Sequence, residues 1–141
     1  MDINAGFELD NPKLFVPWEI SEQEFKDIFK QCSLCNVTTG YFTVSCSSLG
    51  GLKHELGFHF DPRTNGKLNR LEFFLKAYGD HKQSFDKFQR HLEARFGAPT
   101  GVRPGSEGFP DYEWQLGGVL VYHYIFDRFG LEEHVGIKKI S

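Results

Sequence analysis

Apolar positions at two spacings organise this chain. Phe25, Ile28, Phe29 and Cys32 recur at helical intervals, which predicts one apolar stripe over about three turns. Ser21 and Glu24 precede that stripe as an S-x-x-E capping box, and Ile20 and Phe25 occupy the staple positions. From Val37 to Cys46 the period shortens to two, with Tyr41, Thr43 and Ser45 alternating against Phe42, Val44 and Cys46. A second strand is expected where Leu56, Phe58 and Phe60 alternate with Glu55, Gly57 and His59, and a turn over residues 61–66 follows. The third strand carries Leu71, Phe73 and Leu75 against Arg70, Glu72 and Phe74. Helical spacing returns at Phe85, Phe88, Leu92 and Phe96, opened by Asp80 and closed by Gly97 and Pro99. Three further strands are predicted at Tyr112–Leu116, Val119–Phe126 and His134–Ile140, after an irregular loop over 98–110.

The expected architecture is a two-layer α+β domain: a mostly antiparallel sheet of about six strands with two helices on one face, in the order α-β-β-β-α-β-β-β. Residues 1–141 form one domain on this reading, with an extended lead-in over 1–19, one helix-plus-meander unit over 20–79 and a second over 80–141. Phe15 and Trp18 of the lead-in are expected to cover part of the core. The series Leu, x, aromatic, His, aromatic occurs at Leu56–Phe60 and again at Leu120–Tyr124, which suggests an internal duplication. If Leu56, Phe58, Phe60, Leu71, Phe73, Tyr112, Trp114, Leu120, Tyr122 and Tyr124 face the helices, the other face displays Tyr41, His59, Arg70, Glu72, Phe74, Glu113, Gln115, Val121, His123 and Ile125. A face mixing aromatic and β-branched residues with charges has the character of a partner-binding surface.

Composition narrows the class. Fifteen phenylalanines against one methionine point to a core of rigid rings. A net charge of −3 with scattered Lys and Arg leaves no footprint for nucleic acid. No apolar run long enough to span a membrane and no basic leader is present, so a cytoplasmic location is expected. Three cysteines, an odd number, read as free thiols in a reducing compartment.

The chemistry-bearing motifs are sparse. Cys32, Cys35, Cys46 and His54 could in principle close a zinc site, but Cys32 falls on an apolar helical stripe and Cys46 on a strand, so no metal and no cofactor is expected. The Cys-x-x-Cys pair ends its helix, where the dipole does not favour a thiolate. No serine elbow, phosphate loop or dinucleotide fingerprint is present. His59 and His123 occupy matching positions of the two units, with Glu72 or Glu113 beside them, and a small-molecule or hydrolytic site centred there is the alternative reading. The preferred reading is a non-catalytic protein-binding module whose contact residues are Tyr41, His59, Arg70, Glu72, Phe74, Phe109, Glu113 and His123. The paired helix-plus-meander order resembles the architecture of bacterial inhibitor and toxin-immunity proteins, which implies a partner toxin or enzyme that is neutralised by occlusion. Homodimerisation through an edge strand stays open, since the expected edge carries only Lys138 and Lys139 as protection.

Overall fold

The first helix forms where its capping box places it. Ser21 Oγ accepts from the Glu24 N–H at 3.2 Å, and Glu24 Oε1 accepts from the Ser21 N–H at 3.3 Å. The resulting α1, Glu22–Ile28, has seven residues, too few to persist without tertiary support. Phe25 supplies that support: its ring centroid lies between 4.7 and 5.5 Å from those of Phe29, Phe42, Phe58 and Phe60. The second helix, α2, runs His81–Phe96 from Asp80, whose side chain accepts from the Lys82 N–H at 2.8 Å, to the cap at Gly97, φ +83°. Both starts and the α2 stop fall at the residues the sequence nominates.

A computed structural model describes residues 2–61 and 66–140 of the chain. The central residues of the turn expected over 61–66 lie outside the described residues. Among the described residues there are two α-helices, a 3-10 turn at Ser106–Gly108 and ten strands: β1 Gly6–Leu9, β2 Leu14–Pro17, β3 Cys35–Thr38, β4 Tyr41–Ser48, β5 Leu52–Asp61, β6 Lys67–Phe74, β7 Gly101–Arg103, β8 Asp111–Leu116, β9 Val119–Asp127 and β10 Leu131–Lys139. β1 and β2 form a separate hairpin, and the other eight make one antiparallel sheet in the order β3-β4-β5-β6-β10-β9-β8-β7. Each helix-plus-four-strand run builds half of this sheet, and the halves meet where β6 pairs β10.

The α+β class and the antiparallel sheet agree with the sequence reading, and the strand count differs. The two added strands are the sheet edges. β3 splits from the expected first strand at Thr39–Gly40, where Gly40 has φ +73° and a Cβ would stand 2.5 Å from the Phe60 carbonyl oxygen. β7 arises inside the loop expected to be irregular. Because β10 lies at the middle of the sheet, Lys138 and Lys139 guard no edge. The true edges, four and three residues long, are short in the manner that limits edge-to-edge pairing.

The lead-in is also more regular than expected. Phe7, Leu9, Val16 and Trp18 of the β1–β2 hairpin are buried, while Phe15 is 41% exposed and covers no core. Trp18 Nε1 donates to the Ile3 carbonyl at 2.7 Å, and Phe7 packs edge-on to Phe73 at 5.5 Å. The hairpin touches both halves: Asp10 and Asn11 bond the Ser47 backbone, and Asn4 Oδ1 accepts from the Gly118 N–H at 2.8 Å. It therefore shares with α1 and α2 the task of covering one sheet face.

Phe25→Ala is expected to lower unfolding free energy by about 3–5 kcal/mol, as a cavity at the centre of four rings. Ser21→Ala is expected to cost about 1 kcal/mol. Urea denaturation measures both, and a larger cost for Ser21→Ala than for Phe25→Ala would mean that the cap rather than the core holds α1.

Candidate functional site

Register fixes which side chains share the face that the helices leave uncovered. A continuous row of paired residues crosses seven strands: Thr43, Gly57, Glu72, Gly136, Tyr122, Glu113 and Gly101. The next row is Tyr41, His59, Arg70, Lys138, Leu120 and Gln115. Glu72 thus stands on β6 between two glycines. The missing side chains admit two tyrosines: a Cβ at Gly57 would lie 2.7 Å from the Tyr41 ring, and one at Gly136 would overlap the Tyr122 hydroxyl.

The centre of this face is a charge-and-aromatic cluster. His59 Nε2 donates to Glu72 Oε1, which Arg70 Nη2 also approaches at 3.1 Å. Tyr41 stacks on His59 with ring centroids 4.2 Å apart and planes 14° from parallel. The His59 hydrogen bond, reinforced by the charges of His59 and Arg70, holds the Glu72 carboxyl below the usual carboxylate range despite partial burial. Burial, with Glu72 as a lesser cause, raises the Tyr41 phenol, and burial pushes Tyr122 up to about 12. Both tyrosines therefore stay neutral at ordinary pH and keep a hydroxyl able to donate. Tyr124 stacks on His134 at 4.9 Å farther along the face. A depression of about 600 Å³ over β8 and β9 brings Arg103, Asp111 and Glu113 to Tyr122 and Lys138.

The covered face holds two buried polar clusters. His123 lies wholly buried between Glu133 and Gln89: Nε2 is 2.6 Å from Glu133 Oε2, and Nδ1 is 2.8 Å from the Gln89 amide. Ser84 Oγ donates to the other Glu133 oxygen. Phe85 stacks on the imidazole at 4.0 Å. The serine meets the carboxyl rather than the imidazole, so the order needed to activate a nucleophile is absent from this cluster. In the second cluster Ser48 Oγ lies 2.5 Å from His54 Nε2, while His54 Nδ1 donates to the Glu55 carbonyl at 2.9 Å. Ser48 is fully buried and out of a substrate's reach. Cys46 lies 3.9 Å from the same ring, and burial pushes its thiol up to about 12, which suppresses the thiolate that metal binding or attack requires. All three cysteines are unpaired, and no group of three or more His, Cys, Asp and Glu side chains among the described residues is placed to hold a metal ion.

Six of the eight residues nominated from sequence, Tyr41, His59, Arg70, Glu72, Phe74 and Glu113, belong to strands at positions on the uncovered face. Two do not. Phe109 turns toward α2 and packs on Phe85 at 5.1 Å. His123 faces the helices, because β9 has the opposite phase to that expected: Val119, Val121, His123 and Ile125 point inward, and Leu120, Tyr122 and Tyr124 outward. The sequence reading missed Tyr122 and Tyr124 for this reason, and it missed His134 and Lys138 because it assigns no face to β10. Two signals could have found them. β10 alternates cleanly, Val135 and Ile137 against His134, Gly136 and Lys138, and tyrosine suits a half-wet position better than valine does. Comparison with protein-family models, curated proteins and solved structures gives no match.

Burial lowers the affinity of His54 and His123 for a proton, outweighing in each case the raising effect of the neighbouring glutamate. Below the ordinary imidazole value near 6.5, the unfolded chain therefore binds protons that the folded chain refuses. Stability is whole above that value and declines as pH falls from it toward the lowered folded values. Glu72 adds a loss of the same sign at lower pH, as its folded carboxyl titrates. The urea midpoint is expected to drop between pH 7.5 and 5, with a shallower drop in His123→Gln. A midpoint unchanged over that range would contradict neutral buried rings.

Proposed function

We propose that the chain is a non-catalytic protein-binding module that uses its uncovered sheet face, and that it acts as an inhibitor or immunity-type protein by occluding a partner enzyme or toxin. One observation carries the reading: the aromatic and charged side chains Tyr41, His59, Arg70, Glu72, Tyr122 and Tyr124 converge on one face, over glycines that let the rings lie against the sheet. Tyrosine and arginine dominate interface energetics because each buries apolar area while keeping a polar end paired. Ion pairs already formed between Arg70, Glu72 and His59 orient those groups before a partner arrives, which reduces the ordering cost of association. The alternative centre on His59 and His123 has no support in the geometry, since the two rings lie on opposite faces. No helix among the described residues is long and apolar enough to cross a membrane, and the unpaired thiols fit a cytoplasmic setting.

Site-specific photocross-linking tests the reading. Benzoylphenylalanine in place of Tyr124 is expected to trap one discrete protein in the native cell, whereas the same group in place of Lys87, exposed on α2, traps none. Trapping from Lys87 alone, or from neither site, would overturn the assignment of the face.

A further inference from the structure

Where β6 ends at Phe74 and β10 begins at Leu131, a depression of about 410 Å³ opens at the end of the seam between the two halves of the sheet. Its walls include the rings of Phe74, Tyr78 and Tyr122 and the carboxyl-bearing residues Glu72 and Glu132. No lysine or arginine lines it, whereas the two neighbouring depressions are each lined by both Arg70 and Lys138. A cation entering here meets acceptors and aromatic faces; the basic groups beside those acceptors are His59 and Arg70, both on Glu72 Oε1, and His134 of the same wall, 3.8 Å from Glu132. His59 and Arg70 both engage Glu72 through Oε1, so those contacts leave Oε2 unoccupied. The same wall contains His81, whose Nδ1 is buried and has no hydrogen-bond partner among the described residues. With the ring proton on Nε2, that nitrogen is a lone-pair acceptor, and an unmatched buried acceptor is costly until a donor reaches it. The His81 ring stacks on Tyr78 at 6.2 Å and 15° from parallel, which fixes its direction.

We propose that this depression receives an arginine side chain presented by the protein partner of the open face, an inference that rests on the face binding a protein. A guanidinium matches the site in three ways: its plane stacks on aromatic rings, its several N–H groups reach a carboxylate and an imidazole lone pair together, and it stays charged at all physiological pH. A lysine ammonium satisfies the charge but presents no plane to Phe74 and Tyr122.

The test uses the full chain and two small probes, N-acetylarginine amide and its neutral isostere N-acetylcitrulline amide, followed by NMR of the aromatic side chains. The arginine probe is expected to shift the Phe74, Tyr78 and Tyr122 signals saturably and to bind at least about tenfold tighter than the citrulline probe, as charge-assisted bonds require. The Glu72→Gln, Glu132→Gln double variant is expected to erase that preference. His81→Phe, which keeps a ring and removes the acceptor, is expected to weaken the arginine probe several-fold. Equal binding of the two probes, no binding, or shifts centred on Tyr112 and Phe126 of the depression over β8 and β9 would overturn the proposal. If cross-linking from Tyr124 still traps a protein in that event, the binding face stands and only its arginine pocket falls.

Discussion

Pairing of β6 with β10 is the constraint on which both faces depend. Four registered pairs, Phe73–Val135, Glu72–Gly136, Leu71–Ile137 and Arg70–Lys138, join the halves of the sheet. The inward members are almost completely buried, so a slip of one residue would turn the inward pair of the strand that moved to water, Leu71 and Phe73 on β6 or Val135 and Ile137 on β10, and bring Glu72 or Lys138 to the core. The register is held although it sets Arg70 directly opposite Lys138, an arrangement that repels. Glu72 offsets it by pairing with Arg70 at 3.1 Å. The seam thus joins a hydrophobic demand on one face to a charge cluster on the other, and the candidate site inherits its geometry from the core.

The covered face has a different problem, which is too few helices for eight strands. The N-terminal hairpin supplies part of the cover, with Phe7 against Phe73 of β6. α2 is fastened by polar contacts as well as rings. His91 Nδ1 donates to the Leu49 carbonyl at 2.7 Å, Trp114 Nε1 donates to the Gly97 carbonyl at 2.8 Å, and Ser84 and Gln89 engage the Glu133–His123 pair. These bonds tie α2 and its cap to β8, β9 and β10 of one half and to the turn between β4 and β5 of the other. Buried polar groups of this kind specify a docking position more sharply than apolar contact does, because a displaced helix would leave each of them unpaired.

How far the sequence revealed this depended on whether a residue pattern had one physical explanation. The capping box at Ser21 and the Phe85, Phe88, Leu92 stripe each had one, and both helices follow from them. The β5 and β6 alternations were equally clear, since Glu55, His59, Arg70 and Glu72 are unambiguous outward residues. β9 was not: Val, Leu, Val, Tyr, His, Tyr, Ile, Phe is apolar or aromatic on both sides, and its phase is settled by pairing with β8 and β10 rather than by composition. Composition alone therefore puts His123 on the same face as His59, whereas a bond to Glu133 and a stacked Phe85 make it a core residue. β3 and β7 escaped because three or four residues are too few to display a period. Phe15 and Trp18 looked alike in sequence and part company because alternation along β2 sends Val16 inward and Phe15 outward.

The uncovered face is the clearest case of local chemistry with no structural explanation of its own. A solvated antiparallel face is served by small polar residues and charges, which is what β4 shows with Thr43, Ser45 and Ser47. Toward the seam the pattern changes to tyrosine laid over glycine, at Tyr41 on Gly57 and Tyr122 on Gly136. Glycine in a strand gives up side-chain packing and backbone entropy, so each pair costs stability that a threonine opposite a valine would not. What the arrangement provides is rigidity and relief. Rings pressed onto the backbone have few rotamers left to lose, their hydroxyls sit beside Glu72, and the level of the sheet drops on both sides of one oriented carboxylate. Those properties do little for folding and suit recognition, which is why the functional reading belongs to this face and not to the buried histidine clusters behind it.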